Sequence, residues 1–184
     1  MNNTSQKVVA YLSLGSNMGD RMDYLSAAKE KLKNHPEIEI MEESKIYETE
    51  PWPHTSERGK IRDERGRPDS ESGSNWFLNQ VVKVETSLEP DDLLEEVEQM
   101  ETDLGRTMKN NLGPREIDID ILLYGSEIVD YPHLQIPHRH IMDRRFVLEP
   151  LVELDPSLED PRTSQLYRHI LENLEDDFEV TPFL

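Results

Sequence analysis

The stretch Glu116 to Gly125, EIDIDILLYG, restricts the fold more tightly than any other part of the chain. Isoleucines at 117, 119 and 121 alternate with aspartates at 118 and 120, and a period of two marks a strand with one buried face. The isoleucines share one side. Both carboxylates share the other, with the Cα atoms of Asp118 and Asp120 about 6.6 Å apart. Two carboxylates that close repel one another and resist leaving water, so they need either a partner or solvent. One reading is a hard divalent cation. Mg2+ commonly takes one or two protein carboxylates and completes its shell with substrate phosphate oxygens and water, and a pair of such ions can hold a phosphoryl group from both sides. The other reading is a water-facing sheet surface with solvated aspartates, which antiparallel sheets often have.

The neighbours bear on that choice. Arg115 stands three residues before Asp118, Arg106 closes the preceding helical run, and IPHRHIMDRRF adds His138, Arg139, His140, Arg144 and Arg145. The chain as a whole has 39 acidic against 20 basic side chains, a formal net charge of -19. Arginines gathered beside a carboxylate pair in such a protein fit a phosphorylated, metal-bound ligand. They also fit plain surface pairing with the acidic excess. The same charge argues against nucleic acid as a partner of the surface as a whole. Cysteine is absent, which excludes disulfides and thiolate metal sites. No apolar run nears the roughly 18 residues of a membrane span, and the opening MNNTSQKVV lacks the apolar region of a secretion signal. The expectation is a soluble, cytoplasmic protein, with no membrane partner, forming one domain over residues 1–184.

Around the Asp-x-Asp strand the elements alternate. Val8 to Leu14 reads as a strand that breaks at GSNMGD, a turn. From Asp20, Met22, Leu25, Ala28 and Leu32 recur at helical steps until NHP stops them. Glu37 to Thr49 alternates as one strand, Phe77 to Ser87 as another, and Glu89 to Gly105 as a helix with Pro90 and acids at its start. Residues 53–75, rich in Gly, Ser and mixed charge, read as a long mobile loop. Strand, helix, strand, strand, helix, strand predicts an α+β, ferredoxin-like βαββαβ core: an antiparallel sheet with helices packed on it. Beyond it come a short hairpin within SEIVDYPHLQIPH and helical stretches near 145–154 and 164–174.

Several runs together, YLSLGSNMGDR, YETEPW, FLNQVV, METDLGR, GPREIDIDILLYG, IPHRHIMDRRFVLEPL and ELDP, resemble the 6-hydroxymethyl-7,8-dihydropterin pyrophosphokinase family over nearly the whole chain. The resemblance implies an enzyme of folate biosynthesis that moves diphosphate from ATP to the hydroxymethyl group of its pterin and releases AMP. It implies two Mg2+ ions on Asp118 and Asp120, with Arg106 and Arg115 joining them in catalysis. It implies an ATP site with Glu101, Arg115, Ile121, His138 and Arg144, and a pterin site lined by Thr49, Pro51 and Trp52, with Phe77 and Phe146 stacking on the ring and Asn79 bonding its edge. The partners are then small molecules, and the chain is expected to be a monomer.

Departures from the family pattern are visible as well. The stretch Trp52 to Trp76, which matches a catalytic loop, is longer than expected, and TMKNNL at 107–112 replaces a run that in the family carries further arginines and a tryptophan. His133 stands where arginine is frequent. Two rival readings stay open: another Mg2+-dependent nucleotide enzyme on the same fold, and a non-catalytic acidic module that binds a basic partner.

Overall fold

A computed structural model describes residues 6–50, 76–106, 115–175 and 178–183. Pro51, Trp52, the loop expected at 53–75 and the run 107–112 lie outside the described residues. In chain order the elements are β1 Val8–Ser16, α1 Arg21–Asn34, β2 Ile38–Glu43, β3 Tyr47–Thr49, β4 Phe77–Thr86, α2 Pro90–Asp103, β5 Asp118–Tyr124, β6 Val129–Asp130, β7 Gln135–Ile136, α3 Arg145–Leu154, α4 Tyr167–Glu172 and β8 Val180–Pro182. Among the described residues no helix is long and apolar enough to cross a membrane.

Local chemistry explains the two core helices. Asp20 caps α1, its carboxylate accepting from the Asp23 N–H at 3.1 Å, and Lys31 and Lys33 lie in the last turn, where the helix dipole favours cations. In α2, Pro90 occupies the first turn together with Asp91 and Asp92, as a helix start prefers. Each helix buries one stripe: Leu25, Ala28 and Leu32 from α1, and Leu93, Val97 and Met100 from α2.

The sheet runs β5-β1-β4-β3-β8, with β2 also pairing β4, and every pairing is antiparallel. With β1 between β5 and β4 the connections cross over the sheet and bring α1 and α2 to one face, which is the ferredoxin-like arrangement. Ile119 and Ile121 join Leu12, Leu14, Leu25, Leu32, Leu93 and Val97 in the core beneath them. The opposite face is partly covered by the C-terminal third, where Val147, Leu148 and Leu151 of α3 and Tyr167 of α4 pack on Tyr11, Val81 and Leu123. Beyond that cover, the rung Asp118, Gly15, Asn79, Tyr47 crosses four strands on the same face. The candidate site is built on this rung.

The structure corrects the sequence reading in several places. The single strand expected over 37–49 is two. Ser44 interrupts it because its Oγ accepts from the Val81 N–H at 3.0 Å while the Lys45 N–H turns to the Glu153 carboxylate of α3 at 3.1 Å. β1 continues to Ser16, since Gly15 and Ser16 still pair with Asn79 and Leu78. α4 starts at Tyr167 rather than 164, because Ser164 has a φ of 57° that no α-helix accepts. Beyond the elements expected from the sequence, β8 closes the sheet beside β3.

Candidate active site

Asp118 opens β5, and both of its oxygens are engaged. Oδ1 accepts from Arg106 Nη1 at 2.7 Å and Oδ2 from Arg115 Nη1 at 2.5 Å. Arg106 also bonds the Glu101 carboxylate, and Glu101 in turn accepts the Ile119 N–H at 2.6 Å. Glu101 is buried at the end of α2, so the helix terminus and the start of β5 are joined by one charged chain. Asp120, two residues on along β5, has Arg144 Nη1 at 3.7 Å and His138 Nε2 at 3.9 Å. The Arg144 guanidinium stands 5.6 Å from the Phe146 ring centroid, within cation–π range.

The local electrostatics are tense. Burial pushes the Asp118 carboxyl upward and the Asp120 charge adds to it, with Arg115 and Arg106 pulling the other way. Burial likewise raises Glu101 to about 7, against the Ile119 N–H and Arg106. Burial and the charge on Arg144 lower His138 to about 3, so its imidazole is neutral at physiological pH. Three carboxylates, Glu101, Asp118 and Asp120, face three guanidiniums, Arg106, Arg115 and Arg144, and it is burial that holds the Asp118 and Glu101 carboxyls above their ordinary values.

Across the rung the chemistry changes. Asn79 Nδ2 donates to Thr49 Oγ1 at 2.7 Å, and its Oδ1 lies over Gly15, where a Cβ would come within 2.8 Å of it. A glycine is therefore needed for the amide to lie flat across β1. Phe77 pairs with Thr49 at the end of the β3–β4 ladder, while Phe146 sits in the first turn of α3, a helix that packs against β4. Aromatic faces and a fixed amide suit a flat heterocycle with donors and acceptors on its edge.

Among the described residues no group of three metal-ligating side chains converges. The Asp118 and Asp120 pair nonetheless fits Mg2+, which takes one or two carboxylates and draws the rest of its shell from substrate and water. The fold thus gathers Glu101, Arg106, Arg115, Asp118, Asp120, His138 and Arg144 at one end of the face, and Thr49, Phe77 and Asn79 at the other. Ile121 is not brought to this face. It alternates with Asp120 and packs in the core beneath α1 and α2.

Two residues that sequence reasoning passed over join the assembly. Asn17 Oδ1 accepts from the Arg115 N–H at 2.7 Å, and the Asn17 N–H donates back to the Arg115 carbonyl at 3.2 Å. Arg21 reaches from α1 to Trp76 and Glu48. Both belong to GSNMGDR, and the turn chemistry of that run hid their long-range bonds.

A family model described as 7,8-dihydro-6-hydroxymethylpterin-pyrophosphokinase (HPPK) matches residues 11–156. The chain belongs to this family. Curated relatives named 2-amino-4-hydroxy-6-hydroxymethyldihydropteridine pyrophosphokinase include those of Bacillus subtilis, 38% identical over 156 residues with 85% of this chain and 83% of the relative covered, and of Aquifex aeolicus, 36% identical over 173 residues with 94% of each covered. A solved Plasmodium falciparum HPPK-DHPS structure with pterin and p-hydroxybenzoate aligns with a TM-score of 0.66 at 16% identity, over 93% of this chain and 44% of that one. It supports the ferredoxin-like fold. The chain spans less than half of that structure's length.

Proposed function

We infer that this HPPK-family chain is an ATP-dependent diphosphotransferase that converts 6-hydroxymethyl-7,8-dihydropterin and ATP to the pterin diphosphate and AMP. The observation that carries the reading is the arrangement across one rung: a carboxylate pair ringed by Arg106, Arg115 and Arg144 at one end, and an aromatic and amide surface at the other. The first suits a polyphosphate, the second a bicyclic heterocycle.

Asp118 and Asp120 would hold two Mg2+ ions, which when bound neutralise the triphosphate and make its phosphorus more electrophilic. Arg106, Arg115 and Arg144 then have phosphate oxygens to bond, and Glu101 keeps Arg106 aimed at the carboxylate end. Neutral His138 can donate or accept a hydrogen bond without adding charge. Phe77 and Phe146 stack on the pterin, Asn79 reads its edge, and Thr49 lines its pocket, which sets the hydroxymethyl group toward the β-phosphorus. The hydroxyl oxygen forms its bond to that phosphorus as the bond to the oxygen bridging to the α-phosphate breaks. AMP departs with the bridging oxygen, and the hydroxyl proton passes to solvent. Catalysis rests on positioning and charge stabilisation, as in phosphoryl transfer generally. Glu101, His138 and Ile121 join the arginines in the ATP site, Ile121 through its main chain because its side chain is in the core. We also read the chain as one domain acting as a cytoplasmic monomer, which light scattering on the purified protein tests.

Incubating the protein with ATP, Mg2+ and 6-hydroxymethyl-7,8-dihydropterin and separating the nucleotides decides the reaction. AMP that forms only with the pterin present is the expected result. ADP as product would replace the reading with a simple kinase.

A further inference from the structure

Arg21 is the first residue of α1, where the helix dipole disfavours a cation. Its guanidinium turns away from the helix. Nη1 donates to the Trp76 carbonyl and Nη2 to Glu48 Oε1, each at 2.8 Å. Trp76 immediately precedes Phe77, and Glu48 immediately precedes Thr49. Phe77 and Thr49 form the last rung of the β3–β4 ladder, after Tyr47 with Asn79 and Glu48 with Leu78. The end of a short ladder frays; β8 steadies Thr49 from its other edge through Val180, but the pairing of β4 with β1 stops at Leu78 and leaves Phe77 without that support. β3 has three residues, and one guanidinium crosses to both strands at the point where they would open.

We propose that Arg21 is a positioning residue for the heterocycle half of the site. It holds Phe77 and Thr49 at the open end of the ladder, and through Thr49 Oγ1 it sets the Asn79 amide that lies over Gly15. The proposal rests on the pterin-binding reading above and adds a residue that touches neither substrate. Its two bonds run in different directions from one planar group, a geometry that lysine cannot reproduce. Asp20 at the N-cap and Asp23 in the first turn offset the misplaced charge, so the helix tolerates an arginine there. Glu48 in turn needs the cation, being partly buried beside it, with about a third of its side chain exposed.

Arg21→Ala, Arg21→Lys and Glu48→Gln test this, each beside the wild-type protein. Hydrogen–deuterium exchange reads the hold itself. In Arg21→Ala the amides of Tyr47 to Thr49 and Phe77 to Asn79 should exchange faster, with the β1–β5 ladder unchanged. Steady-state kinetics read the consequence: the KM for the pterin should rise about tenfold, the factor expected for a lost charge-assisted hydrogen bond, while the KM for ATP stays within error. Arg21→Lys and Glu48→Gln should fall between, and they keep the test open if the alanine variant folds poorly. A general loss of structure would instead raise both KM values together and lower the melting temperature. Unchanged exchange at the ladder end, or faster exchange with the pterin KM unmoved, overturns the proposal. Wild-type protein that makes no AMP from the pterin overturns the functional reading instead, and the exchange data still decide whether Arg21 holds the rung.

Discussion

Asp118 and Asp160 are both inward-facing carboxylates bonded to arginine, yet their surroundings drive them in opposite directions. Burial alone would raise Asp160, but the Arg162 side chain, the Arg162 N–H and the Tyr167 hydroxyl outweigh it and hold the carboxyl below its ordinary value. The bonds are complete: Arg162 Nη2 at 2.5 Å, Arg162 N at 2.8 Å and the Tyr167 hydroxyl at 3.0 Å. Asp118 has two guanidiniums and still sits above its ordinary value, because burial and the neighbouring Asp120 charge prevail. Asp160 is a finished structural anchor. Asp118 belongs to a buried cluster of carboxylates and guanidiniums in which its carboxyl stays displaced upward, and displaced carboxyl groups of that kind gather at functional sites.

The sharpest way to break the contrast is Asp118→Asn. Turnover should fall on the order of 100-fold or more, the scale of losing a principal electrostatic contact in the transition state, while the melting temperature at pH 7 stays no lower than wild type. A stability loss without an activity loss would invert the assignment. Asp160→Asn should do the reverse: kcat unchanged, and unfolding free energy lower by roughly 1.5–3 kcal/mol, as for a hydrogen bond to a charged group. Its pH dependence sharpens the point. Since the folded-state carboxyl of Asp160 is depressed, its contribution is fully present above the unfolded value near 4 and is lost as pH falls through the folded one. The gap between wild type and Asp160→Asn, measured by denaturant titration, should therefore close below about pH 4. Smaller again is Gly15→Ala, whose new Cβ would press on the Asn79 amide. The pterin KM should rise about fivefold, a modest free-energy change, with the ATP KM unmoved.

What the sequence disclosed was local in origin. The isoleucine and aspartate alternation of β5, the stripes of α1 and α2, and Pro90 with its acids are periodic or terminal signals, and each stands in the structure where its pattern places it. The break at Ser44 was hidden because it depends on Val81, far along the chain, and on Glu153 of α3. β8 was hidden because Val180–Pro182 is only three residues long and ends on a proline, too short for a period of two to show, and it pairs along the edge that β3 offers. At the site, the carboxylate pair and the arginines around it were legible as chemistry. Asn17 and Arg21 were not, since an asparagine and an arginine in a turn-rich run have local explanations, and their real partners are Arg115, Trp76 and Glu48. Ile121 shows the reverse case. Its place beside Asp120 in the sequence says nothing of the shared face until strand alternation is applied.

The paired guanidiniums on Asp118 carry a consequence for the order of events. With Arg106 on one oxygen and Arg115 on the other, the carboxylate has borrowed its counterions from the very groups a triphosphate would recruit. A divalent ion arriving by itself must displace them, freeing Arg115 from Asp118 and leaving Arg106 to Glu101; a triphosphate arriving by itself finds them already spoken for. Delivered together, the two exchange partners in a single trade, cation to carboxylate and guanidinium to phosphate. Under the proposed metal site the affinities for metal and nucleotide are thermodynamically linked, and calorimetry should find Mg2+ alone binding weakly where the Mg2+–nucleotide pair binds well.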